Sequence, residues 1–142
     1  MESTRPDLPR IGANSRGIVQ EKERILVVEP NDLILGLLEC WLREAGYVVV
    51  VETLRGLPRA VGEGGAPQLV IIDATTPQNA EKVIRLVKEE HAGPILLLSA
   101  SLIRDTNSSN SVARQFGVRR ALQKPFTRGE LLTAVDEAID SH

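Results

Sequence analysis

The sequence predicts an α/β fold, a doubly wound parallel sheet made from five βα units in series. Three observations carry this. Residues 25–28, 69–72 and 95–98 are continuous apolar runs, and strands covered on both faces read as continuous rather than alternating. Segments with apolar residues at helical spacing lie between the runs, so strand and helix alternate and right-handed crossovers follow. Each run also ends in a residue with chemistry, namely Glu29, Asp73 and Ser99, and a shorter stretch, Ala121-Leu122, leads through Gln123 into Lys124-Pro125. Parallel sheets hold ligands just beyond the carboxyl ends of their strands, so these four polar groups are expected to share one crevice.

Taken in order, residues 1–23 read as a disordered tail, with Pro6, Pro9, Gly12, Gly17 and mixed charges. Residues 25–28 are the first strand, and Asn31 or Asp32 suits the cap of the next helix. Leu33, Ile34, Leu37, Leu38, Trp41, Leu42 and Ala45 make that helix's apolar stripe, and Gly46 stops it. Residues 47–51 are a β-branched second strand. Residues 54–61 have the length of a short helix, against which Gly56 and Pro58 count. The Gly-rich segment 62–67 follows a helix and precedes a strand, the wrong order for a phosphate-binding loop, so it reads as a connector.

Residues 69–72 form the third strand, 80–90 a helix with Val83, Ile84 and Val87 on one face, and 95–98 the fourth strand after the Gly93-Pro94 break. Residues 102–116 have roughly helical spacing, but the run Thr106-Asn107-Ser108-Ser109-Asn110-Ser111 is poor helix material. Residues 118–123 are the fifth strand, and Thr127 caps a last helix carrying Leu131, Leu132, Val135, Ala138 and Ile139.

Size and composition bound the function. A chain of 142 residues fits one ordinary domain, here residues 24–142, able to bury a core without metals or disulfides. A net charge of −2 and 3% aromatic content give no case for nucleic acid or membrane surfaces as partners. The single cysteine, Cys40, has no internal disulfide partner and reads as a small packing residue. The first residues hold no apolar signal-peptide core and no run approaches a membrane span, so the expected compartment is the cytoplasm.

Residues 24–140 resemble the receiver domain of bacterial two-component response regulators, the chemotaxis-regulator type included. The motifs are Leu69-Val70-Ile71-Ile72-Asp73 with Pro77 four residues on, Leu96-Leu97-Leu98-Ser99-Ala100, and Lys124-Pro125-Phe126 with Gly117 seven residues before the lysine. Singly each is weak; their order and spacing together are specific. The resemblance implies a flavodoxin-like sheet of strand order 2-1-3-4-5 and a signalling phosphoprotein rather than an enzyme. It makes Asp73 the phosphoacceptor, with Lys124 and Ser99 contacting the phosphoryl group. It implies Mg²⁺ held by Asp73, the backbone carbonyl of Thr75 and a water on Glu29. It also implies a cis Lys124–Pro125 peptide, phosphorylation by a sensor histidine kinase or phosphotransfer protein, output through an unidentified downstream protein, and homodimers on the last helix and fifth strand.

The residue types suit that chemistry. A carboxylate attacking phosphorus gives an acyl phosphate, a reversible signal rather than a stable product. Charge developing on the phosphoryl oxygens calls for cations, and Lys124 supplies one as a mobile point charge. Each residue alone has a plainer reading: Asp73 and Ser99 as turn residues, Lys124 as a solvated charge.

Two positions depart from the family pattern. The usual second acid after the first strand is Pro30, which offers no side-chain ligand, so the metal site is expected to be weak. Ala121 stands where receivers have tyrosine or phenylalanine, so no ring can turn there to report movement of Ser99. Together they support an alternative, a pseudo-receiver that binds partners independently of phosphorylation. A flavin or nucleotide enzyme is the third class. No glycine-rich turn follows Val28, and neither His91, near a helix end, nor the terminal His142 suits catalysis. With no output domain expected after the last helix, direct DNA binding is not expected.

Overall fold

The apolar runs resolve into strands covered on both sides. In a computed structural model of the chain, residues 23–28, 32–58, 66–103 and 108–140 are described. The elements are β1 (Arg24–Val28), α1 (Asp32–Glu44), β2 (Val48–Glu52), β3 (Leu69–Asp73), α2 (Pro77–Glu90), β4 (Ile95–Ser99), α3 (Ser109–Phe116), β5 (Arg120–Gln123) and α4 (Arg128–Asp140). The five strands are parallel in the order β2-β1-β3-β4-β5, as expected.

Side chains alternate across a strand, so each continuous run feeds two cores. Leu26, Val28, Val70, Ile72, Ile95 and Leu97 face Ala80, Val83, Ile84 and Val87 of α2 and Val112 and Ala113 of α3. Ile25, Val27, Leu69, Ile71, Leu96 and Leu98 face Leu38 and Leu42 of α1 and Leu131, Val135 and Ala138 of α4.

Caps set the helix ends. Thr76 accepts the Asn79 N–H at 3.0 Å and Pro77 fills the first turn, so α2 starts at Pro77, three residues before the expected start at 80. At α4, Thr127 Oγ1 accepts the Glu130 N–H at 3.1 Å while Glu130 Oε1 accepts the Thr127 N–H at 2.8 Å, a reciprocal box that bears out the expected cap. Gly46 (φ 99°) closes α1 as expected, and Gly117 (φ 69°) closes α3. The backbone calls for glycine at Gly117, since its φ is positive; the atom an added Cβ would meet is Lys88 Nζ at 2.8 Å, the tip of a flexible side chain that can move aside.

The differences from expectation have local causes. The Tyr47 N–H is spent on Leu42 O at the end of α1, and β2 begins one residue later, at Val48. The Val118 N–H goes to Ala113 O at the end of α3, so β5 begins at Arg120 rather than 118. Leu37 is 46% exposed, because Leu38 and Leu42 form the ridge that meets the sheet. Cys40 is exposed rather than packed. The helix expected over 54–61 has helical backbone at Leu57 and Pro58, and its remainder lies outside the described residues. So do the tail through residue 22 and the cap expected at Asn31. No helix among the described residues is long and apolar enough to cross a membrane.

His91, at the end of α2, is 4% exposed; Nε2 meets Pro94 O at 3.1 Å, and Nδ1 has no partner among the described residues. Burial lowers its pKa, partly offset by the Pro94 carbonyl. The unfolded chain, with histidine near pKa ~6.5, therefore takes up a proton first as pH falls. Stability should decline as pH drops below about 6.5, and His91→Gln should flatten that decline in urea melts between about pH 7 and 5. An unchanged slope in the variant would show that His91 is not the group responsible.

Candidate functional site

The sheet register brings the chemistry to one edge. Asp73 pairs with Leu98 and Ser99 with Gln123, so β3 and β4 each end on one of the candidate residues. The ladder runs one residue further on both sides of β4: Ala74 N–H donates to Leu98 O at 3.1 Å, and Lys124 N–H donates to Ser99 O at 3.0 Å. Backbone pairing thus fixes where Asp73, Ser99 and Lys124 leave the sheet before any side chain interacts.

Lys124 Nζ meets Asp73 Oδ2 at 2.6 Å, with the two side chains 12% and 10% exposed. This is a charge-assisted contact between residues 51 apart in sequence. The Lys124–Pro125 peptide is cis, as the resemblance implied. Phe126 packs edge-on against Trp41 of α1, with ring centroids 6.3 Å apart, which ties the loop after β5 to α1.

Ser99 is fully buried. Its Oγ accepts the N–H groups of Ser101 (3.3 Å) and Leu102 (3.1 Å), which is the turn role its plainer reading described. Both bonds hold the Ser99 hydroxyl in the turn after β4. Ser101, which the sequence reading did not single out, donates from Oγ to the Thr75 backbone carbonyl at 2.5 Å. Its only sequence signal is a second hydroxyl two residues after Ser99.

Glu29 and Pro30 lie outside the described residues, and no group of three metal-ligating side chains occurs among the described ones. The oxygen donors that are described, the Asp73 carboxylate and the Thr75 carbonyl, suit a hard cation that keeps most of its waters. The Thr75 carbonyl already attracts a donor from the neighbouring loop, so its oxygen is presented to polar groups rather than spent in secondary structure. The residues therefore fit Mg²⁺ in kind.

Beside the crevice, Ala121 is 7% exposed in β5. It lies in the floor of a groove of about 650 Å³ with Leu122, between Asn110 of α3 and Gly129, Ala134 and Glu137 of α4. Arg120 spans part of it, with Nε 3.3 Å from Glu137 Oε1 and a second guanidinium nitrogen 3.5 Å from Asn110 Oδ1.

Solved structures share this architecture. The receiver domain of sensor histidine kinase PA1611 from Pseudomonas aeruginosa PAO1, with Mg²⁺ coordinated in its active-site cleft, is 25% identical. It aligns with a TM-score of 0.66 over 85% of this chain and 100% of that one. The chain has the response-regulator receiver fold. A response regulator receiver protein from Sinorhizobium medicae WSM419 aligns with a TM-score of 0.63 at 24% identity, over 85% of this chain and 97% of that one. By sequence, the chain is 31% identical over 118 residues to the transcriptional regulatory protein PdtaR of Mycobacterium tuberculosis, an alignment covering 82% of it. It spans 56% of the length of that relative. No protein-family model matches the chain.

Proposed function

We propose that Asp73 accepts a phosphoryl group from a sensor histidine kinase or phosphotransfer protein, and that the modified receiver signals through protein–protein contacts. The observation that supports this is the Lys124–Asp73 contact across the end of β4, between the ends of β3 and β5, which sets a carboxylate against an ammonium in one crevice. A carboxylate oxygen of Asp73 attacks phosphorus; the new O–P bond forms as the bond from phosphorus to the donor breaks, and the leaving group takes that electron pair. Lys124 Nζ then turns from a carboxylate oxygen toward the phosphoryl oxygens, whose charge it balances. Ser99, once it turns out of its loop contacts, donates its hydroxyl proton to one of them. Asp73, the Thr75 carbonyl and a water on Glu29 would hold Mg²⁺, which when bound neutralises further phosphoryl charge.

When Ser99 turns toward a phosphoryl oxygen it gives up the two N–H groups it now accepts, and the loop after β4 is released. The faces read by a downstream protein are then that loop, α3 and β5, with α4 and β5 as the surface for a second copy. The alternative reading, a module that binds its partner without phosphorylation, is favoured by Ala121, which leaves a groove where a ring would otherwise change its packing.

Incubation with acetyl phosphate and Mg²⁺, followed by intact mass analysis, should add one phosphoryl group to the wild type and none to Asp73→Asn. No gain in the wild type, under conditions that label a control receiver, would sink the phosphoacceptor reading. If Asp73→Asn still binds the partner as well as wild type does, the phosphorylation-independent reading takes its place.

A further inference from the structure

We infer that the Ser101 hydroxyl is a latch that competes with the cation for the Thr75 carbonyl, and so couples the cation site to the loop after β4. The inference rests on the reading of Asp73 and Thr75 as the phosphoryl and cation site. Two loops meet here. One runs from Asp73 through Ala74 and Thr75 to Thr76, the cap of α2. The other runs from Ser99 through Ala100 to Ser101 and Leu102. They are joined side by side through Ser101 Oγ and Thr75 O, residues 26 apart in sequence.

The join is built on the Ser99 turn. Ser99 Oγ draws in the N–H groups of Ser101 and Leu102, and this folds the loop so that the Ser101 hydroxyl reaches across to the neighbouring loop. Ser101 itself is exposed, so packing does not hold it there; the hydrogen bond does. A carbonyl has two lone pairs, but the donor now on it neutralises part of the charge a cation would use and fixes the direction of its approach. Cation binding and latch closure therefore oppose one another, and by linkage each weakens the other by the same factor. Ser101 is a positioning residue in this scheme: it never touches phosphorus, and it sets how readily the Thr75 carbonyl is given up.

The consequence is specific to this chain's chemistry. With Pro30 in place of an acid, the cation site leans more heavily on Asp73 and the Thr75 carbonyl, so a competitor for that carbonyl has more leverage. It also joins two events that the crevice would otherwise run separately, because withdrawal of Ser99 toward a phosphoryl group undoes the turn that presents Ser101.

The test is Mg²⁺ titration of the full chain, followed by calorimetry and by Trp41 fluorescence, with amide exchange read at Leu102 and Ile103. Ser101→Ala should bind Mg²⁺ roughly three- to tenfold more tightly than wild type, the range one exchanged hydrogen bond supplies. In the Mg²⁺-free state its Leu102 and Ile103 amides should exchange several-fold faster. Ser101→Thr, which keeps the hydroxyl, should resemble wild type in both. Mg²⁺ should speed exchange at these amides in wild type and leave Ser101→Ala unchanged. Equal Mg²⁺ affinity in wild type and Ser101→Ala overturns the latch while leaving the phosphoacceptor reading intact. Absence of Mg²⁺ binding in every variant, together with no labelling by acetyl phosphate, overturns the reading of the site and the latch with it.

Discussion

Lys124→Ala should slow labelling of Asp73 by acetyl phosphate by about 100-fold, the scale lost when one preorganised charge-stabilising group is removed from a transfer site. The same substitution should destabilise the fold by about 3 kcal/mol, because it strands a nearly buried carboxylate without its counter-charge. Both side chains keep about a tenth of their exposure, which puts the effect at the lower end for a broken buried pair. The two effects separate in a double-mutant cycle. Asp73→Asn/Lys124→Ala should recover most of the lost stability, since neither charge remains to be stranded, while labelling stays absent. Lys124→Arg keeps the charge in a larger planar group, so it should recover stability better than labelling. Urea melts and a time course of intact mass measure the two quantities on the same samples. Wild-type labelling in Lys124→Ala would remove Lys124 from the phosphoryl site, and an unchanged melt would show that the ion pair carries no net stability.

The crevice was legible because parallel strands convert position in sequence into position in space. Asp73, Ser99 and Lys124 are 26 and 25 residues apart, yet each ends or follows a strand of one sheet, and register does the rest. The buried runs were equally plain, since cover on both faces removes the alternation that separates strand from helix elsewhere. Helix and strand starts were less legible wherever a backbone N–H had two claimants. Tyr47 and Val118 read as strand residues by side chain, but each spends its N–H closing the helix before it. The start of α2 was hidden because Thr76-Pro77-Gln78-Asn79 carries no apolar periodicity; its signals are a cap and a proline. Ser101 was invisible for a different reason. A hydroxyl bound to a backbone carbonyl in another loop leaves no pattern in the chain, since any residue can present that carbonyl.

Leu97→Ala should cost about 3–4 kcal/mol, a large fraction of the about 5–15 kcal/mol that holds a domain together. Leu97 is fully buried on β4, in register with Ile72 of β3 on one side and Ala121 of β5 on the other. All three belong to the core that faces α2 and α3. The size of the loss depends on whether neighbours can move into the space left behind. Here one of the two flanking side chains is already alanine, and the backbone of both flanking strands is pinned by the ladder that positions Asp73 and Lys124. The cavity therefore stays largely open, and the cost belongs in the middle of the range for buried leucines rather than at its foot. Leu37→Ala is the matched control: the same atoms are removed from a side chain that is 46% exposed, and the loss should be within about 0.5 kcal/mol. Urea melts with an unchanged slope and a shifted midpoint would read both values directly. A loss below about 1 kcal/mol at Leu97 would mean that β5 collapses inward beside Ala121. In that case labelling of Asp73 should fall as well, because Lys124 rides on the end of that strand.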